Sequence, residues 1–222
     1  MLVITVLYVF CNWATALVTS FRATKEPLVF DVSNINDEYF VVKVFIGENN
    51  QYSSDFLLDL ATSGIYVTSK TIKNFDGHGV FNPDHSSTYQ KLGSDDEVDV
   101  ITVHNGEDHL FKGWRSEDTF GIEYREDTDA SMTNRTMFFL ITRIKDDSAR
   151  LVSGSSSVNG YIGLAAMHQE NETSYVQQLY DYKMIENPTF SMLLCKRGQC
   201  DSSLTIGGNS TAYAKEGAEE HT

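Results

Sequence analysis

The sequence predicts a mainly β domain with one or two short helices. Three observations carry this reading. Short β-branched and aromatic runs alternate with turn residues. Aromatic residues make up 12% of the chain, with 13 Phe and 11 Tyr, which suits sheet better than helix. Only one segment has helical period. The hydrophobic fraction is 41% and there are 3 Pro, so 222 residues can close a core and general disorder is excluded.

Tyr39 to Ile46 is aromatic and β-branched and reads as the first strand. It ends at Gly47-Glu48-Asn49-Asn50, a natural hairpin turn. Phe56-Leu57-Leu58 is the next strand and runs into Asp59; Ile65-Tyr66-Val67 follows Gly64. Val98 to Val103 alternates apolar and polar residues. Met137 to Ile141 is a continuous apolar run, expected to be buried on both faces. Ser174 can cap a helix in which Val176, Leu179, Tyr180 and Met184 recur at three- and four-residue spacing, with Pro188 past its end. Phe190 to Leu194 and Leu204 to Ile206 read as two arms of a hairpin closed by Cys195 and Cys200.

The apolar run from Leu2 to Phe10 is too short to span a bilayer, and Ala14-Thr15-Ala16 follows it. Residues 1–16 therefore read as a cleaved signal peptide, with an uncleaved anchor as the alternative. No later segment is long and apolar enough to cross a membrane. Three sequons, at Asn134, Asn171 and Asn209, agree with a secretory route and are candidate glycosylation sites. Cys11 would leave with the leader, so Cys195 and Cys200 remain, as a disulfide or as two free thiols. The expected location is extracellular or the endo-lysosomal lumen.

The net charge of −14 argues against nucleic acid as a partner. The acidic residues between Asp95 and Asp129 read as a solvated face, and His104 and His109 as solvated side chains, so no metal is expected. There is no G-x-S-x-G elbow, no H-E-x-x-H and no phosphate-binding Gly loop after a strand.

An ordered set of segments resembles the N-terminal lobe of the pepsin-like aspartic proteases. Tyr39 to Gly47 resembles the family's first hairpin strand. Phe56-Leu57-Leu58-Asp59-Leu60-Ala61-Thr62-Ser63-Gly64-Ile65-Tyr66-Val67 resembles its active-site loop, where the usual triplet is D-T-G. Phe81-Asn82-Pro83-Asp84-His85-Ser86-Ser87-Thr88-Tyr89 follows F-x-P-x-x-S-S-T-[YF]. Asn159-Gly160-Tyr161-Ile162-Gly163-Leu164 resembles D-G-I-L-G-L, and Pro188 to Ser191 and Leu204 to Gly208 continue the order. The resemblance implies one lobe of the pepsin-like fold, a six-stranded-type β barrel or sandwich, over residues 38–213. A short N-terminal segment (17–37) would precede it and a polar tail (214–222) would follow.

In that family two Asp carboxylates share a proton and hold one water, one acting as base and the other as acid. The resemblance assigns the first carboxylate to Asp59 and binding positions to Thr62 and Tyr66, and the Thr62 hydroxyl leaves room for a bond that orients Asp59. No cofactor is implied; the partner would be a peptide or protein. Leu60 and Ala61 replace the usual Thr and Gly, so the hydroxyl that bonds the other lobe is missing. Val103 stands where the family's flap Tyr is expected. Residues 209–222 are too few for a second lobe and its Asp, and residues 17–38 do not resemble the basic prosegment. The sequence therefore predicts an aspartic endopeptidase homologue that is impaired as a single chain. Pairing of two chains, a longer two-lobed enzyme and a non-catalytic extracellular binding domain are the alternatives.

Overall fold

The computed structural model describes residues 26–35, 39–48, 52–73, 81–104, 107–124, 127–145, 158–165 and 173–208. The leader, the tail, Asn171 and Asn209 lie outside the described residues. In chain order the strands are β1 (Leu28–Ile35), β2 (Tyr39–Ile46), β3 (Tyr52–Asp59), β4 (Ser63–Lys73), β5 (Gln90–Lys91), β6 (Val98–His104), β7 (Glu107–Tyr124), β8 (Asp127–Ile144) and β9 (Val158–Leu164). Helix α1 (Tyr175–Asp181) follows, then β10 (Phe190–Leu193) and β11 (Ser202–Ile206), with a 3-10 turn at Pro83–His85.

The strands form one mixed sheet. Its central path runs β2-β3-β9-β4-β8-β7, and β7 pairs back onto β2 through Val44↔Ile122, Phe45↔Gly121 and Ile46↔Phe120. These pairings close six strands into a ring, the barrel expected of this fold. Strand alternation then sorts side chains into two layers. Val42, Val44, Phe56, Leu58, Ile65, Val67, Phe120, Phe138, Leu140 and Ile162 point inward and share one buried cluster. Leu57, Tyr66, Phe139, Ile141 and Tyr161 point outward and form a second, covered by Val100 and Phe111 of the β6–β7 hairpin.

Helix α1 contributes Tyr175, Val176 and Leu179 to the inner cluster. The Ser174 hydroxyl accepts from the Gln177 amide at 3.2 Å, which fixes the helix start. The helix is shorter than its periodicity suggested. It ends at Asp181, and Lys183 takes a left-handed φ of 59°, so Met184 packs on the core from a turn and Tyr180 is exposed. Leu28–Ile35 is β1, which pairs with β11 on one side and with β2 on the other. One further expectation is corrected. In the Met137–Ile141 run, Met137 is 39% exposed while the remaining four are buried.

Candidate active site

Strand β3 carries four consecutive buried residues, Phe56 to Asp59, and the chain reverses through Leu60–Thr62 into β4. Alternation puts Phe56 and Leu58 inside the barrel and Leu57 and Asp59 outside. The Asp59 side chain is 6% exposed. Its Oδ1 accepts from the Ala61 amide at 2.8 Å, an Asx-type turn, and its Oδ2 accepts from Thr62 Oγ1 at 3.1 Å. The Thr62 hydroxyl is thus one of two donors on the carboxylate from its own loop. Leu60, at the tip, is 59% exposed.

Strand β9 threads between β3 and β4, parallel to the first and antiparallel to the second. Gly163 lies opposite both Asp59 and Gly64. A Cβ at Gly163 would stand 2.4 Å from Thr62 O and 2.8 Å from Ser63 C, so only glycine lets the loop approach. The Ala165 amide then donates to Thr62 O at 3.0 Å, and Gly64 takes a φ of 83°. Asp59 is therefore held from its own loop and from the strand beneath.

Tyr66, the position expected to bind, lies in the second aromatic layer. It is 1% exposed, with its ring 4.8 Å from Tyr161, 5.9 Å from Phe139 and 6.3 Å from Phe111. Its ring supports the loop and the hairpin above it, and the residue also borders the hollow beside Gly64 and Met137. The β6–β7 hairpin is registered from Val98↔Gly113 to His104↔Glu107, and Val103 pairs with Asp108 one step from its turn. Its base is tied by charge. Glu97 accepts from Thr142 Oγ1 at 2.6 Å and lies 3.6 Å from Lys112, while Asp99 bonds Lys145 at 2.6 Å. The Thr142 hydrogen bond, with help from Lys112, holds Glu97 below its ordinary pKa, and the Lys145 bond does the same for Asp99.

The F-x-P motif is an anchor. Phe81 is fully buried against Tyr52, Tyr89 and Phe138, and the Asn82 side chain caps the 3-10 turn. Beyond it Thr88 bonds the buried Asp118 carboxylate, and Tyr89 OH meets Ser116 Oγ at 3.0 Å.

Gln178, which carried no signal in the sequence, clamps the barrel beside the Asp59 loop. Its amide accepts from Met137 N at 2.7 Å and donates to Met137 O at 2.9 Å and Thr173 O at 3.1 Å, acting as a short strand partner for β8. Next to this clamp a shallow hollow is lined by Gly64, Leu92, Arg115, Met137 and Phe139. The larger open groove, about 620 Å³, lies elsewhere, against the disulfide turn, with Asp31, Asn34, Lys196 and Arg197 on its walls. Cys195 and Cys200 are bonded, with Cα atoms 5.5 Å apart. Asn134 lies in β8 opposite Phe120.

Among the described residues there is no cluster of three or more His, Cys, Asp or Glu placed to hold a metal ion. No described helix is long and apolar enough to cross a membrane.

A six-stranded barrel with an Asp at the end of β3, a strand threaded beneath that Asp and a hairpin packed over the outer face define one lobe of an aspartic-type peptidase fold. The family model for eukaryotic aspartyl proteases matches residues 38–219, and the chain belongs to that family. No curated protein matches it.

Proposed function

We propose that this chain is a secreted pepsin-like aspartic endopeptidase homologue that supplies one catalytic-type carboxylate, Asp59, and by itself cleaves no peptide. The observation that carries the reading is the loop. Asp59 is buried and held by Ala61 N and Thr62 Oγ1, while the neighbouring tip is an exposed leucine. One carboxylate can take a proton from water or give one to a carbonyl oxygen, and hydrolysis by this chemistry needs both at once. Leu60 has no hydroxyl with which to tie the loop to a facing lobe. The leader-like residues 1–16, the sequons at Asn171 and Asn209 and the Cys195–Cys200 bond support a secreted or endo-lysosomal location. The hollow beside Gly64 and Met137 suits an apolar side chain of a bound peptide.

The test is incubation of the purified chain with denatured globin at acid pH. No cleavage is expected, with or without pepstatin. Pepstatin-sensitive turnover that disappears in Asp59→Asn would end the reading of impairment, and sedimentation of the active species would separate a pair of chains, each lending Asp59, from a longer two-lobed form.

A further inference from the structure

Besides Trp114 Nε1, three buried polar atoms on β7, β8 and α1 have no hydrogen-bond partner among the described residues: Asn134 Nδ2, Asp118 Oδ2 and Tyr175 OH. Their placement is related. Asn134 pairs with Phe120 and Thr136 with Asp118, so Asn134, Thr136, Asp118 and Phe120 share the inward face of the β7–β8 ladder. The Tyr175 ring meets Phe120 edge-on at 5.6 Å. The Asn134 amide cannot be turned around at no loss, because its Oδ1 already accepts from the Arg135 amide at 2.8 Å. Asp118 Oδ1 is likewise taken, by Thr88 Oγ1 and by the Thr119 amide. Asp118 and Tyr175 are both 0% exposed.

The unmet capacities are complementary. Asn134 Nδ2 and Tyr175 OH are donors, and Asp118 Oδ2 is an acceptor. Burial raises the Tyr175 pKa, so its hydroxyl keeps the proton it would donate. One water accepts two hydrogen bonds and donates to a third group, and sites with three such partners are where interior waters reside.

We propose that Asn134 is an interior donor, linked through a buried water to Asp118 and Tyr175, and that its sequon is closed to glycan in the native protein. A glycan is attached at Nδ2, the atom that faces inward here, and the hydroxyl-bearing residue of the sequon, Thr136, is 1% exposed. Glycosylation at Asn134 and closure of the β7–β8 face over Phe120 therefore exclude each other. A chain modified there before folding cannot complete the barrel.

Two measurements test this. The glycan arm rests on the secretory reading. The full chain is expressed through the secretory pathway, and each sequon is mapped by mass after enzymatic deglycosylation, which converts an occupied Asn to Asp. The soluble protein should be bare at Asn134 while Asn171 or Asn209 is occupied; glycan at Asn134 in folded, soluble protein overturns the proposal. A chain bare at all three sequons counts against the secretory reading, and the second arm then decides.

That arm needs no glycan. Asn134→Asp replaces the inward donor with a second carboxylate facing Asp118, whereas Asn134→Ala removes the donor without adding charge. At neutral pH the Asp variant should lose more than about 4 °C in Tm and clearly more than the Ala variant. An Asp variant within about 1 °C of the parent would show a side chain open to solvent and refute the interior site.

Discussion

Replacing Gly163 by Ala probes the strand that carries the Asp59 loop. The added methyl would meet Thr62 O at 2.4 Å, Thr62 C at 2.7 Å and Ser63 C at 2.8 Å, all backbone atoms with no rotamer to escape into. Relief requires β9 to move away from the loop. Overpacking of this kind costs roughly 1–3 kcal/mol. The Ala165 N to Thr62 O bond, now 3.0 Å, would lengthen and lose about 1 kcal/mol more. A total of about 3 kcal/mol lowers Tm by about 6–12 °C for a domain of this size. Gly93→Ala is the control. Gly93 has a φ of 84° but nothing within 4 Å of an added Cβ, so only the left-handed conformation is penalised, by about 1 kcal/mol. Thermal melts followed by circular dichroism would compare the two. Equal losses, or a smaller loss at Gly163, would refute the argument that close approach of β9 positions the loop.

Other consequences are as direct. Thr62→Val removes the hydroxyl that donates to the buried Asp59 Oδ2, so the denaturant midpoint should fall by the equivalent of about 1–3 kcal/mol. Gln178→Ala strips three hydrogen bonds and exposes the need of Met137 N and O; a loss of about 2–4 kcal/mol is expected, against almost nothing for the exposed Tyr182→Ala. Glu97 and Asp99 have folded pKa values below their ordinary ones, so their contribution is present above the ordinary carboxylate range and is lost as pH falls through the lowered values. Amide exchange in β6 should therefore accelerate relative to β3 on acidification, and Thr142→Val should weaken that dependence. Reducing the Cys195–Cys200 bond, which closes a very short loop, should remove only about 2 kcal/mol.

Much of this was legible because local chemistry and tertiary structure agree. Tyr39 to Ile46 is a strand by composition and is β2 residue for residue, since one face meets the barrel interior. The apolar approach to Asp59, the turn after it and the glycines of Asn159 to Leu164 placed the candidate site, because close backbone approach leaves a glycine in the sequence. Strand β7 was harder to see. Its sequence, EDHLFKGWRSEDTFGIEY, is polar by composition, yet Ser116 and Asp118 are buried and bonded to Tyr89 and Thr88, and no rule of alternation reveals partners supplied by a distant loop. β1 depends on β2 and β11 for its pairing, and Gln178 on the strand edge it covers. For Tyr66, a motif gives the position along the chain, and only the second aromatic layer shows what its ring packs against.

On the function proposed above, these residues bring one catalytic-type carboxylate, Asp59, where hydrolysis needs two. Cleavage of a fluorogenic peptide at acid pH, measured over a wide range of chain concentration alongside the sedimentation coefficient, tests it most directly. The specific rate should be indistinguishable from that of Asp59→Asn at every concentration where the chain is monomeric. Steady turnover by the monomer, abolished in Asp59→Asn, would contradict it.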